Sequence, residues 1–493
     1  MLETTARQIA DLTGGELVGG ARGDETVTGI ARIDSREVRD GDLFAAFAGE
    51  QADGHDYLEA ARAAGATLAL VSTVPEDLTL PAVRVSDVQE ALAALARAQL
   101  ERARRENPQL TVLAITGSAG KTGTKDLLGT VLASAGETIA PVGSFNNELG
   151  LPLTVLRLTP ATRFLVLEMG ARGIGHIAHL TAIARPDVAL VLNVGSAHLG
   201  EFGSVEAIAQ AKGELVEALE PTGRAVLAAE DHRVAAMAER TNAPSVTWGF
   251  DAGQVRGENL TLDDEARIGF TLQIPAGLTT VDGAPIPPGE HAVRPDLLGE
   301  HQAGNALAAL TAAISVGVDP AAAAAALQDA RLGSGHRMQV HRAGGAMIID
   351  DAYNANPDSM RQALKTLAHL GRSHRTIAVL GEMLELGEES TMLHDQIGRL
   401  AVRLNISQLY AVGSGAAAMH HGASLEGSFG GESELLADVD EAIAVLQRVV
   451  QPGDVVLVKS SRDAGLRRIT APLLEHLQAS HPCETDARTG ENA

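Results

Sequence analysis

The stretch AITGSAGKTGTK, beginning at Ala114, sets a glycine turn against a lysine and a threonine: Gly117, Ser118, Ala119, Gly120, Lys121 and Thr122. The apolar run LTVLAIT precedes it and GTKDLLGTVLASAG, a helix-forming stretch, follows. In the order strand, turn, helix, backbone N–H groups and a helix N-terminus face an anion. Lys121 can then reach the outer phosphates of a nucleotide, and the Thr122 hydroxyl can meet Mg²⁺. Ile115 stands where the longer form of this loop carries a glycine, so the match is the shorter GxxGKT. A chance GKT in a helix-capping turn is the bland alternative, and the flanking elements speak against it.

Such a loop needs a carboxylate at the end of a neighbouring strand to hold the metal. Glu168, closing RFLVLEMG, has that place, although a Glu there can also cap the following turn. His198 follows the next apolar run in LNVGSAHLGEFG, as a second ligand or as a hydrogen-bonded loop residue. In SVEAIAQAKGELVEAL, residues Val205, Ile208, Leu215, Val216 and Leu219 form an apolar stripe, and Lys212 falls on it. Burial would drive this lysine towards a neutral amine; snorkelling would keep its charge at the surface, and the residues alone favour snorkelling.

The elements that must position these groups are α/β in pattern. A length of 493 residues with 45% hydrophobic content predicts two to four packed domains. Up to residue 108, short apolar runs alternate with Ala-rich helical stretches, a small α/β domain ending at ENPQL. Residues 109–330 repeat strand, glycine turn and helix with near-continuous apolar strands, which predicts a mostly parallel sheet, with a small antiparallel excursion at 251–295. Residues 331–480 read as a second parallel, Rossmann-like domain, with Asp350, Asp351, Glu382 and Lys459 emerging at the carboxyl ends of strands, where ligands gather. Residues 481–493 read as a disordered polar tail. The net charge of -24 and the 2% aromatic content argue against nucleic acid or anionic membrane as a partner. One cysteine, Cys483, allows no internal disulfide, and no run is apolar and long enough to span a bilayer. A cytoplasmic protein without membrane insertion, monomeric and with small-molecule partners, is expected.

In order along the chain, IDSREVRDGDLFAAFAGEQADGHDY, TGSAGKTGTK, GSFNNELGLPLT, LEMGARGIGHIAHL, NVGSAHLGEFGS, AKGEL, GEHQAGNALAA, DDAYNANPDSM, VLGEMLELGEES and VKSSRD resemble the Mur ligases of bacterial cell-wall synthesis. The resemblance covers nearly the whole chain. It implies three domains: a small α/β domain binding the UDP-linked substrate, a central phosphate-loop ATPase domain and a C-terminal Rossmann-like domain. It also implies ATP-driven amide synthesis, with Mg²⁺, joining D-alanyl-D-alanine to UDP-N-acetylmuramoyl-tripeptide. Ser35, Arg36, Asp53, Gly54 and His55 would hold the uridine diphosphate, and Asn146, Asn147 and Glu148 would line the central cleft. Lys212 would carry a carbamate and, beside His198, bind a second Mg²⁺, which reverses the snorkelling preference. His301 and Asn305 would meet the adenine, unless the pair only caps a helix. Asp351, Asn354 and Asn356 would close over the nucleotide, and Lys459 with Ser461 would approach the phosphate or the incoming dipeptide. The chain departs from its relatives at Gly123, where Thr is usual, at Ala119, where Asn or Ser is common, and at Ser460, where Gly is frequent. A sister ligase adding another amino acid is the nearest rival, although the DNPR of the diaminopimelate-adding members is missing. A slow nucleotide switch is the rival of another class.

Overall fold

The computed structural model describes residues 1–49, 52–195, 199–328, 330, 333–427 and 431–480; the polar tail expected at 481–493 and His198 lie outside the described residues. Among the described residues the central sheet has nine strands. In spatial order they are Gly289–Val293, Ile268–Ile274, Val255–Leu262, Ser245–Gly249, Arg224–Ala228, Val188–Val191, Thr111–Thr116, Phe164–Glu168 and Thr138–Ile139. Pairing is parallel from Thr138–Ile139 across to Val255–Leu262, and the last two pairs are antiparallel. The antiparallel excursion expected at 251–295 is therefore an extension of the parallel sheet. Continuous apolar runs such as FLVLE and VALV are buried at every position, because helices cover both faces.

After Thr111–Thr116 the chain goes out to the edge strand Thr138–Ile139, returns to Phe164–Glu168 beside the phosphate-loop strand, then crosses to Val188–Val191 on the other side. The phosphate-loop strand thus sits where the strand order reverses, and its carboxyl end opens into the crevice that α/β sheets use for ligands. Register places Glu168 beside Ile115 and Val191 beside Thr116, so the loops that follow all three strands converge.

The C-terminal sheet runs Gln339–Ala343, Ala346–Asp351, Val455–Lys459, Thr376–Leu380, Gln408–Val412 and Ser433–Leu436, parallel except for its first pair. Alternate residues feed two cores: Ile349, Ala378 and Leu457 pack on one face, Ile348, Val379 and Val456 on the other. The N-terminal sheet has five strands, parallel except for the pair Glu16–Val18 with Ala82–Arg84. Helix Val88–Glu106, capped by Asp87, packs against helices Gly150–Val155 and His176–Ile183 of the central unit, and one apolar core continues from Met1 into the central helices. Among the described residues no helix is long and apolar enough to cross a membrane.

Candidate active site

Gly120 starts the phosphate-loop helix Lys121–Ala133 with φ +82, a left-handed conformation suited to glycine, and a Cβ there would stand 2.4 Å from Asn305 Oδ1. Asn193 clamps the loop from the neighbouring strand end: its Oδ1 accepts from Ala119 N at 2.9 Å, its Nδ2 donates to Ala119 O at 3.1 Å, and its carbonyl accepts from Ser118 N at 3.1 Å. With the Ser118 and Ala119 N–H groups directed to Asn193, the first N–H groups of the helix are left to face an anion. Lys121 folds back to donate to Gly117 O at 2.7 Å. Desolvation lowers its pKa, Glu168 opposes that shift, and Arg337 adds to it.

Thr122 Oγ1 donates to Glu168 Oε2 at 2.9 Å, and Asn146 Nδ2 donates to Glu168 Oε1 at 2.8 Å. Glu168 is 1% exposed and turned towards the phosphate loop, which replaces the turn-capping alternative. A hydroxyl and a carboxylate oxygen converging at the loop suit a hard cation such as Mg²⁺ that keeps most of its ligands as water and phosphate. Lys212 is 3% exposed in helix Val205–Glu217, which overturns the snorkelling preference read from the stripe. Burial, and secondarily Lys121, pushes its pKa well down, and among the described residues no hydrogen bond or ion pair to it is found. As a neutral amine it offers a hard cation a single, poorly matched nitrogen; as a carbamate it would offer two oxygens.

The phosphate loop, Asn146 and Glu168 line one cleft of about 900 Å³ with walls from the central and C-terminal sheets, and Lys212 is not among the residues that line it. Across it, Asp351 and Lys459 end adjacent parallel strands, and Lys459 Nζ donates to Asp351 Oδ2 at 2.6 Å and to Asn354 O at 3.0 Å. His301 stands near this pair, and its buried Nδ1 has no hydrogen-bond partner among the described residues. Desolvation lowers its pKa to about 4, with Asp351 opposing the shift and Lys459 adding to it.

Three family models account for most of the chain: Mur ligase family catalytic domain over residues 28–100, Mur ligase middle domain over 115–313, and Mur ligase glutamate ligase domain over 336–462. The chain belongs to the Mur ligase family. It is 45% identical to the UDP-N-acetylmuramoyl-tripeptide--D-alanyl-D-alanine ligase of Mycobacterium tuberculosis, over 96% of this chain and 98% of that one. The ligase of that name from Escherichia coli is 33% identical over 97% and 99%. Among solved structures, MurF from Acinetobacter baumannii superposes with a TM-score of 0.81 at 31% identity, covering 96% and 99% of the two chains. MurF from Thermotoga maritima in complex with ADP gives 0.74 at 29% identity, over 92% and 99%.

The structure of this Mur ligase brings together most, but not all, of the residues singled out from the sequence. Gly117 directly follows the strand and lies against Leu192, and Asn305 Oδ1 faces Gly120 while accepting from Thr124 Oγ1 at 3.3 Å. Neither His301 nor Asn305 gives helix His301–Ser315 a side-chain cap, so the capping alternative does not hold. Asn147 and Glu148 line the cleft, Asn147 Oδ1 accepting from Gly150 N at 2.9 Å and Glu148 lying 4.0 Å from His176. Asn356 is the cap of helix Pro357–Leu370, its Oδ1 accepting from Ser359 N at 2.8 Å. Ser461 accepts from Leu384 N at 2.9 Å, so it and Lys459 line the cleft with their polar atoms already engaged.

Ser35, Arg36, Asp53, Gly54 and His55 lie outside the cleft, in two turns packed on the short helix Leu58–Ala63. Arg36 pairs with Asp34 at 2.6 Å, and the His55 ring joins Asp53 at 2.6 Å to Ser72 N at 3.0 Å. Sequence reasoning missed Asn193, Trp248 and Arg337. Arg337 donates to Ser144 Oγ at 2.9 Å and lies 4.2 Å over the Tyr353 ring. Trp248 is the sole tryptophan of the chain and lines the cleft, and its buried Nε1 has no hydrogen-bond partner among the described residues.

Proposed function

We propose that this Mur ligase joins D-alanyl-D-alanine to UDP-N-acetylmuramoyl-tripeptide, converting ATP to ADP and phosphate. The observation that carries the reading is one cleft in which the phosphate loop, Glu168 and Asn146 face Arg337, Asp351 and Ser461 from the other sheet. The near-complete overlap with ligases of that name supports it.

A carboxylate is a poor acyl donor because oxide would have to leave. Transfer of the γ-phosphoryl to the tripeptide's terminal carboxylate gives an acyl phosphate. The amine of D-alanyl-D-alanine attacks its carbonyl, loses a proton, and the tetrahedral intermediate expels phosphate as the amide forms. No protein nucleophile is required, so the residues act by alignment and charge. The N–H groups of Gly120, Lys121 and Thr122 hold the phosphates, and the Lys121 ammonium balances charge on the moving phosphoryl. Mg²⁺ held by Thr122 and Glu168 would neutralise phosphate oxygens. Asn146 fixes the Glu168 carboxylate, and Asn147 and Glu148 border the acceptor. His301, Asn305 and Trp248 form the wall for the adenine, Arg337 reaches the phosphates from the C-terminal side, and Asp351, Asn354 and Asn356 complete that side.

Two further assignments belong to the same reading. Residues 1–108 hold the uridine diphosphate through Ser35, Arg36 and the Asp53–His55 turn, 109–330 form the ATP-binding unit, and 331–480 the unit that closes over it. The Lys212 amine, kept uncharged by burial, adds CO₂ and releases a proton to give a carbamate that, with His198, would hold a second Mg²⁺. The enzyme is read as a cytoplasmic monomer acting on small molecules.

Mass spectrometry of the product from muramyl tripeptide, ATP and D-alanyl-D-alanine tests the reading. The expected product carries both added alanines, and phosphate release requires both substrates. Phosphate release at full rate without the dipeptide would mark a nucleotide switch instead.

A further inference from the structure

Lys125, one turn beyond Lys121, takes no part in the site described above, yet it is only 1% exposed. A buried ammonium is tolerated only when its protons find acceptors. Lys125 Nζ donates to Pro141 O at 2.9 Å, Gly143 O at 3.1 Å and Ser334 Oγ at 3.4 Å, and lies 2.5 Å from Asp126 Oδ1. Neighbours on a helix do not ordinarily face each other; these two meet because both converge on Ser334. Asp126 Oδ2 accepts from Ser334 N at 3.1 Å, so helix Lys121–Ala133 grips that residue through two side chains.

Ser334 opens the segment leading from the central unit into the first strand of the C-terminal sheet, Gln339–Ala343. Within it His336 and Met338 have φ of +58 and +48, a conformation that residues with side chains keep only when their surroundings hold them. The C-terminal sheet supplies part of that hold: the His336 ring lies 2.8 Å from Asp350, and Met338 N donates to Asp351 Oδ1 at 3.1 Å. The central unit supplies the rest through Lys125, Asp126 and the Arg337 bond to Ser144, whose hydroxyl also lies 3.3 Å from Thr122 Oγ1. The segment is therefore clamped between the helix that starts at the phosphate loop and the strand that ends at Asp351.

We infer that Lys125 and Asp126 are positioning residues that tie the phosphate-loop helix to segment 333–338, so that a nucleotide on the loop sets the angle between the central and C-terminal sheets. The inference rests on the nucleotide site of the ligase reading. A rigid helix moved at its N-terminus by phosphate carries that movement one turn along to Ser334, and a segment held in a sparsely populated conformation can respond by a discrete step.

The test combines small-angle scattering of the full chain, with and without a nonhydrolysable ATP analogue plus muramyl tripeptide, with initial rates for Lys125→Met, Asp126→Asn, Ser334→Ala and the Lys125→Met/Ser334→Ala double variant. The wild type is expected to compact with ligand. The single variants should bind the analogue within about threefold of wild type, lose ligand-induced compaction and drop in kcat by about tenfold or more at nearly unchanged KM for ATP. The double variant should be no worse than the worse single one, as for two groups in one linkage, and Lys125→Arg should recover part of the rate. Should Lys125→Met fail to fold, Ser334→Ala and Asp126→Asn carry the test. Absence of compaction in the wild type, wild-type compaction and kcat in those two variants, effects that multiply in the double variant, or losses that follow thermal stability alone would overturn the inference. A wild type that compacts but makes no product would instead remove the ligase reading and leave the coupling standing.

Discussion

At the level of single residues, the groups that desolvation leaves short of partners mark the chemistry. Lys121 is held by one carbonyl and destabilised by desolvation, a state suited to receiving phosphate charge. Lys121→Ala is expected to lower turnover by about 10²–10³-fold or more while leaving the thermal midpoint near wild type, because it removes a charge-stabilising donor and no structural pair. Steady-state rates and a melting curve check both halves. His301 makes a separate prediction. Its folded pKa of about 4 lies below the ordinary 6.5, so between those values the unfolded chain binds the extra proton and the native state does not. Stability should then rise with pH through that window and be lost as pH falls from 6.5 towards 4, by on the order of 3 kcal/mol at most. Denaturation midpoints of wild type and His301→Gln across pH 4–7 test this, and the variant should lose that share of the pH dependence.

Among the elements, the turn from strand Thr111–Thr116 into helix Lys121–Ala133 carries the tightest requirement, since Gly120 combines φ +82 with the close approach of Asn305. Gly120→Ala should raise the KM for ATP by about tenfold and lower the thermal midpoint by a few degrees, through left-handed strain and displacement of Asn305. Retention of wild-type KM would show that the loop tolerates another path. This turn and the buried strands were legible in the sequence because apolar runs, glycine spacing and helix starts are local signals. Lys212 was legible only as an anomaly: its place on an apolar stripe is visible, but what covers that stripe comes from the fold. Asn356 shows the opposite case. The run NPDS, with Asn before Pro and a serine three residues on, spells a helix cap, and its oxygen is used as one. The Asp53–His55 pair and Arg337 depended on contacts across the chain, to Ser72 and Ser144, that no local pattern displays.

For the whole molecule, the cleft is a property of two sheets facing each other, neither of which holds a complete site. The phosphate loop and Glu168 belong to one, and Asp351, Lys459 and Ser461 to the other. Bringing carboxylate, γ-phosphoryl and amine into line is then a matter of how the sheets are set, the source of most of the rate advantage open to an enzyme without a nucleophile of its own. The central claim is that the terminal phosphoryl passes to the acid end of the peptide before the amide forms. Muramyl tripeptide labelled with ¹⁸O in its terminal carboxylate tests it most directly. One labelled oxygen should appear in the inorganic phosphate released for each amide made. Phosphate free of the label, with product still forming, would contradict the account.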